Sequence, residues 1–312
     1  MQNKVLIIDK VHPLITSELT KAGYVCEEFP GYGRAEYEQI IPEYRGVIIR
    51  SGIKLDRAFL ELATRLEFIG RVGAGMENVD VAFAGSRGIR CLNSPEGNRD
   101  AVGEHATGLL LALMNNIVRA DGQVRQGKWI REGNRGTEIK GKTIGIVGYG
   151  NMGSAFAARL RGFDTEVISY DKYKSGYSDG NTRETDMDEL FERCDVISFH
   201  VPLTEETTFL ADDAYLGRFR KPIRLLNTSR GKVVKTSALV NALQSGRVLG
   251  AALDVLEYED TSFEQIASGD SPELNYLKMA GNVILTPHIA GWTHESAVKL
   301  ASFLVQKILK KQ

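Results

Sequence analysis

Apolar residues along this chain fall into short runs, separated by stretches in which they recur every three or four positions. The first runs are VLIID (5–9), VIIR (47–50), LEFIGRV (66–72) and IRCLN (89–93). Between them PLITSELTKAG, DRAFLELAT and a shorter segment ending near Gly88 read as helices. Alternation of this kind predicts βαβ units around a parallel sheet. The series closes at Ser94-Pro95, which marks the end of a compact α/β unit.

From about Asp100 to Trp129 the pattern is helical. AVGEHATGLLLALMNNIV is apolar on nearly every side, which predicts burial between domains or subunits. A second alternation follows, with predicted strands KTIGIVG (142–148), EVISYD (166–171), DVISFHV (195–201), RLLNTS (224–229), VLGAALDV (248–255) and NVILTPH (282–288). These runs are almost continuously apolar, as strands covered on both faces should be. From about His294 to Gln312 the pattern is amphipathic and helical, suited to packing back on the first unit. The expectation is therefore two α/β domains, the second inserted into the first. Residues 1–98 with 293–312 form one, and 99–292 the other.

Composition narrows the class. A chain of 312 residues is long enough for two ordinary domains. Its formal net charge of −1 argues against a general nucleic-acid binder or a membrane-surface protein. The longest apolar stretch, Leu109 to Met114, is broken by Asn115-Asn116 and falls far short of a membrane span. The N-terminal MQNKVLIIDK has no signal-peptide core and already looks like a first strand. Cys26, Cys91 and Cys194 are odd in number and lack metal-ligand spacing. Reduced thiols, a cytoplasmic location and no bound metal are expected.

The candidate chemistry lies at strand ends. GYGNMG (148–153) follows an apolar strand and opens a helix. Gly148, Gly150 and Gly153 would permit a tight turn, backbone approach to a pyrophosphate and close helix–strand packing. The helix N-terminus would offer N–H groups and a positive dipole end to the phosphates. The next strand ends in Asp171, about 20 residues on, where a carboxylate binds ribose hydroxyls and favours NAD over NADP. Lys172, directly after it, would soften that preference.

His200-Val201-Pro202, Thr228-Ser229-Arg230, Asp254 to Glu259, and His288 also end predicted strands. Ligands of open parallel sheets bind outside those ends. Arg230 in NTSRG would clamp a carboxylate bidentately. A carboxylate beside His288 would fix its tautomer and favour its charged form, and both Glu257 and Glu259 are within reach by spacing. His200 would either help shape a cofactor groove or pack in the core. His105, on the apolar helix, reads as a satisfied core residue, and His12 and His294 as surface or capping residues.

These stretches together resemble the D-isomer-specific 2-hydroxyacid dehydrogenases, and within them the phosphoglycerate dehydrogenase branch. RSGIKLD (50–56), GRVGAGMENVD (70–80), NSPEGN (93–98), GEHATGLLLAL (103–113), GKTIGIVGYGNMG, CDVISFHVPLTEET (194–207), NTSRG, GAALDV and LTPHIAGW match it in order and spacing. The resemblance covers almost the whole chain. It implies a Rossmann NAD-binding domain inserted into a flavodoxin-like α/β substrate domain, with the long central helices forming a homodimer interface. It implies a catalytic trio of Arg230 for the substrate carboxylate, Glu259 as the partner of histidine, and His288 as the acid/base. Cofactor positions carry over to Ala74, Asn151, Met152, Asp171, Val201, Thr207, Thr228, Ser229, Asp254 and His288. Pro202 and Gly291 in the matching stretches are expected beside them. The GRVGAG loop would present N–H groups from Gly73 to Gly75 to the substrate, with Ser51 and Asn98 nearby.

The substrate implied is a small 2-hydroxy or 2-keto acid. Arg50, Arg71 and Arg131 would bind a phosphate at its far end, which favours 3-phosphoglycerate. A glyoxylate or hydroxypyruvate reductase is the enzymatic alternative, and an NAD-sensing corepressor-type scaffold the non-enzymatic one. Three departures from the family pattern stand out: Asp260 replaces a proline after the glutamate, Glu77 replaces an aspartate, and Val234-Lys235-Thr236 replaces VDE. Thr236 would still cap the next helix. The chain ends near residue 312, so no serine-sensing regulatory domain and no feedback of that kind are expected.

Overall fold

The computed structural model of the protein describes residues 2–259 and 271–310. The chain forms two compact units, one of residues 2–99 and 292–310, the other of residues 100–259 and 271–291. Asp260 lies outside the described residues.

The first unit is built on a parallel sheet of β1 (Lys4–Ile7), β2 (Val25–Glu28), β3 (Gly46–Ile49), β4 (Phe68–Arg71) and β5 (Arg90–Asn93). Their order is β2-β1-β3-β4-β5. That is the flavodoxin-like order, whose direction of winding reverses between β1 and β3. Successive residues point to opposite faces of a strand, so one run of apolar residues supplies two cores. Leu6 and Ile8 pack with Tyr37, Phe59 and Ile69. Val5 and Ile7 pack with Phe68 and with Ala301, Leu304, Val305 and Ile308 of the helix His294–Leu309. That helix starts on a reciprocal cap, in which Thr293 and Ser296 each accept the other's backbone N–H at 3.0 Å.

The apolar pattern did not anticipate β2. Its sequence is VCEE and it lies at the sheet edge, with Val25 and Glu28 exposed. An edge strand needs no continuous apolar run and gains from charge.

The second unit carries seven parallel strands. They are β6 (Thr143–Val147), β7 (Glu166–Tyr170), β8 (Arg183–Glu184), β9 (Val196–Phe199), β10 (Ile223–Asn227), β11 (Val248–Leu253) and β12 (Val283–Leu285), in the order β12-β11-β10-β9-β6-β7-β8. Counted within this unit, six of them follow the 3-2-1-4-5-6 order of dinucleotide-binding sheets, with β12 added beyond the sixth. The winding reverses between β6 and β9. The two-residue β8 was also not anticipated.

The stretch expected to be one buried helix is two. Arg99–Met114 is buried along Val102, Ala106, Leu110 and Leu113. Asn116 then takes a left-handed conformation, φ 56°, and a new helix runs over Ile117–Arg125. Asparagine tolerates that conformation better than most residues. None of Ile117–Arg125 is buried within the chain, and Ile117, Val118 and Val124 are at least half exposed. In this helical stretch, burial within the chain therefore ends at Met114.

Two glycines of the first of these helices make a clean contrast. A Cβ on Gly103 would lie 2.8 Å from the carbonyl oxygen of Ala155, where two helix backbones meet. One on Gly108 would meet nothing within 4 Å. Gly103→Ala should destabilise the protein by about 1–3 kcal/mol through overpacking. Gly108→Ala should stabilise it by about 0.5–1 kcal/mol through helix propensity. Urea denaturation of both variants reads the two signs directly.

Candidate active site

β10, β11 and β12 are neighbours in the sheet, and adjacent strands lie about 4.8 Å apart. The loops after them therefore leave the sheet side by side. They carry Arg230, Glu259 and His288. Asp254, the first residue past β11, binds the third loop. Its carboxylate is 1% exposed and accepts the Thr286 hydroxyl at 2.6 Å, the Ile289 amide at 2.9 Å and the Ala290 amide at 2.8 Å. Its backbone carbonyl accepts the His288 amide at 2.7 Å. Gripped on both sides, His288 is held at φ 53°, a left-handed conformation uncommon for any residue but glycine.

Nδ1 of His288 lies 2.8 Å from Oε2 of Glu259. The imidazole is 24% exposed and the carboxylate 12%. Glu259 is itself fixed, because its other oxygen accepts the Leu256 amide. Glu257 has a different partner, since its Oε2 accepts the Thr236 amide at 2.9 Å. It thereby caps the helix Thr236–Gln244, whose N-cap residue Lys235 makes no side-chain cap bond. The expectation that Thr236 caps this helix is thus corrected. A carboxylate from the neighbouring loop does so, and Thr236 supplies the capped N–H.

Arg230 is positioned from below. Asn227, fully buried at the end of β10, donates to the Arg230 carbonyl at 2.9 Å and accepts from the Ser229 amide and hydroxyl. Gly231 then passes so close to the next loop that a Cβ would sit 1.8 Å from the Leu256 carbonyl oxygen. Only glycine lets the arginine loop and the glutamate loop abut. Nη1 of Arg230 also donates to the Ser229 carbonyl at 2.7 Å.

At the sheet's reversal point the three glycines do three different things. Gly148 has φ 92° and packs against the His200 carbonyl, 2.8 Å from where a Cβ would be. Val201 touches the same position at 2.9 Å. A Cβ on Gly153 would lie 2.1 Å from the Gly148 carbonyl oxygen, so the helix Asn151–Arg159 starts hard against the turn. Gly150 alone has nothing within 4 Å. An open middle glycine between two packed ones is the form that admits a pyrophosphate. Asn151 and Met152 sit in the first turn of that helix. Asp171 accepts the Tyr149 amide at 2.9 Å and the Tyr173 amide at 3.0 Å, which fixes its carboxylate beside the turn. Thr228 Oγ1 is buried with no partner among the described residues. These residues fit a bound dinucleotide.

Other sequence-derived candidates are used differently. The His200 ring is buried, with Nε2 2.8 Å from the Ser198 hydroxyl, and desolvation pushes its pKa down to about 4. It stays neutral, and its backbone rather than its ring borders the glycine turn. Thr207 closes its own loop by donating to the Pro202 carbonyl at 2.6 Å. Gly291 follows directly on the Asp254-bound turn. Arg131 is exposed on the second unit.

In the first unit β4 ends in Arg71, and the loops after β3, β4 and β5 carry Arg50 and Ser51, Gly73 to Gly75, and Asn98. The Arg50 guanidinium lies 4.2 Å from the centre of the Trp292 ring. Arg71 folds over Gly73, where a Cβ would fall 1.3 Å from Nη1. Asn93 ties the glycine loop by donating to the Ala74 carbonyl at 2.6 Å. The Asn98 Oδ1 is buried with no partner among the described residues.

Two positioning residues were missed. Asp9, at the end of β1, accepts the amides of Arg50, Ser51 and Gly52 and so shapes that loop. It ends a strand as Asp171 does, and the same criterion would have found it. His105 lies 3.2 Å from the Thr286 hydroxyl and 3.5 Å from Asp254, so its helix supports the His288 loop. No local signal pointed to that pairing. Among the described residues no group of His, Cys, Asp and Glu is gathered as a metal site.

Residues 107–290 match the family described as D-isomer specific 2-hydroxyacid dehydrogenase, NAD binding domain. Over 98% of its length the chain is 34% identical to a D-3-phosphoglycerate dehydrogenase of Archaeoglobus fulgidus, covering 56% of that protein. It is 36% identical to a hydroxypyruvate reductase of Thermotoga maritima over 88% of this chain and 87% of the other. The chain thus spans about half the length of the first of these relatives and most of the second. Its fold is similar to a D-lactate dehydrogenase from Aquifex aeolicus complexed with NAD and lactic acid. That likeness has a TM-score of 0.85 and 27% identity, covering 97% of this chain and 94% of the other.

The Asp254 clamp can be tested without substrate. Asp254→Ala would leave the Ile289 and Ala290 amides and the Thr286 hydroxyl without their acceptor, and should cost about 3 kcal/mol in urea denaturation. A loss under about 1 kcal/mol would mean that something else holds the turn.

Proposed function

This chain belongs to the D-isomer specific 2-hydroxyacid dehydrogenase family, whose NAD-binding domain spans most of its second unit, and from that premise we propose that it interconverts a D-2-hydroxy acid and its 2-keto acid with NAD. The observation that carries the reading is the His288–Glu259 pair, held at 2.8 Å beside the arginine loop. In the proposal the second unit holds NAD and carries Arg230, Glu259 and His288.

NAD, when bound, supplies the hydride acceptor or donor. The protein supplies protons, charge and orientation. Glu259 on Nδ1 fixes the tautomer and orientation of the ring, which leaves Nε2 as the exchanging nitrogen. In reduction Nε2 donates its proton to the oxygen that gains charge. In oxidation neutral Nε2 takes the hydroxyl proton. Arg230 holds the substrate carboxylate and draws charge toward the carbonyl oxygen, an interaction that strengthens toward the transition state. Asp254 and the fixed backbone of residues 286–290 keep the imidazole from rotating away from either partner.

Arg50 and Arg71, at the ends of neighbouring strands β3 and β4, support a substrate with a distal phosphate such as 3-phosphoglycerate. A second reading, a hydroxypyruvate or glyoxylate reductase, is favoured by the stacking of Arg50 on Trp292, which gives that guanidinium a partner without phosphate. Steady-state kinetics with 3-phosphohydroxypyruvate, hydroxypyruvate, glyoxylate and pyruvate separate the two. We expect the highest kcat/KM with the phosphorylated acid. His288→Ala should lower kcat by about 100-fold or more with the best substrate. Near-normal turnover would remove His288 from the chemistry, and no turnover by the parent protein with any 2-keto acid would favour a nucleotide-sensing scaffold.

A homodimer and a cytoplasmic location belong to the same proposal. Ile117, Val118, Val124, Trp129 and Ile130 leave a run of exposed apolar side chains on the second unit, which a second copy would cover. Ile117→Asp with Val124→Asp should shift the mass in light scattering from dimer to monomer. The location is supported by three cysteines in no disulfide, with burial pushing the Cys194 thiol up to about 12. Among the described residues no helix is long and apolar enough to cross a membrane.

A further inference from the structure

The loop after β7 reads Asp171-Lys172-Tyr173, and its first two residues pull in opposite directions. A carboxylate fixed beside the glycine turn accepts ribose hydroxyls and repels a 2′-phosphate. An ammonium one residue later would bind that phosphate. What decides between them is where the ammonium is held. Lys172 Nζ lies 2.8 Å from Oε1 of Glu206, in the loop after β9. The other oxygen of Glu206 accepts the Tyr173 hydroxyl at 2.6 Å. One side chain from across the reversal point thus engages two consecutive residues of the adenosine-side loop. Lys174, the next cation along, donates to the Tyr149 carbonyl at 2.7 Å.

We propose that Glu206 is a cofactor-selecting residue, which withholds Lys172 from a 2′-phosphate and so enforces NAD over NADP. The inference deepens the cofactor reading above and rests on it. Both partners are about half exposed, so their attraction contributes little to folding. Its consequence is in discrimination. Selectivity is a difference of affinities, and a second negative charge near the ribose counts only against the phosphorylated nucleotide. The pair also explains why a lysine beside Asp171 is compatible with NAD, since its charge is already met. The directions of titration agree: the bond to Glu206 raises the Lys172 pKa, and the bond to Lys172 lowers that of Glu206.

Calorimetric titration of the full chain with ADP-ribose and with 2′-phospho-ADP-ribose tests this without any turnover. Glu206→Gln keeps an acceptor for the Tyr173 hydroxyl and removes the charge that holds Lys172. The affinity ratio should move toward the 2′-phosphorylated ligand by about tenfold or more, the worth of one charge-assisted hydrogen bond. The gain should shrink as salt rises. Adding Lys172→Gln to that variant should abolish it. An unchanged ratio in Glu206→Gln, or a gain that survives loss of Lys172, overturns the proposal and leaves the cofactor reading standing. A parent protein that binds neither nucleotide overturns both.

Discussion

Asp254 is a carboxylate with almost no access to water, a state that a protein core tolerates only when the oxygens are filled. Here they are filled by one hydroxyl and two amides of the segment 286–290, while the Asp254 carbonyl takes the His288 amide. These bonds supply the constraint that holds histidine in a left-handed conformation. From that follow the direction of the imidazole, its meeting with Glu259, and the alignment of both with the arginine loop that Asn227 and Gly231 press alongside. His105 adds a third side to the clamp, from a helix far away in sequence. The His288–Glu259 pair is thus held in place by a buried acid that lies outside the pair.

Several carboxylates in the second unit share one chemistry and differ only in their partners. Glu257 caps a helix and Glu259 holds an imidazole, although they are two residues apart. Alternate residues of an irregular loop need not face the same way, and each acid takes the donor that its own backbone position presents. Asp171 and Glu206 differ in the same way. One is fixed by two amides beside the glycine turn, and the other holds Lys172. Net charge says nothing of this, because the signs are arranged residue by residue.

The parallel strands were legible because each buries both faces and so reads as an unbroken apolar run. β2 and β8 were not, because edge strands of two to four residues carry charge where central strands carry valine and isoleucine. The break at Asn116 was hidden for another reason: Ile117 and Val118 resume the apolar run after two asparagines, and only the backbone angle shows that the helix restarts there with its apolar side exposed. The glycine turn was legible in full, since the roles of its three glycines follow from spacing within six residues. The cap on the helix Thr236–Gln244 was misread, because a threonine at the right position looks sufficient until Glu257 is seen to arrive from another strand.

By itself the sequence determined the strand-and-helix alternation, the glycine turn with its following acid, and the presence of arginine, glutamate and histidine at successive strand ends. All of these are local patterns, set by side-chain periodicity and by the geometry of short turns. Tertiary structure alone decided that Asp254 and His105 support the His288 loop, that Asp9 shapes the Arg50 loop, and that Lys172 is held by Glu206. Each of these is a pairing across tens of residues or more. Such a pairing depends on which strands become neighbours and how their loops turn, and no single stretch of sequence contains that information.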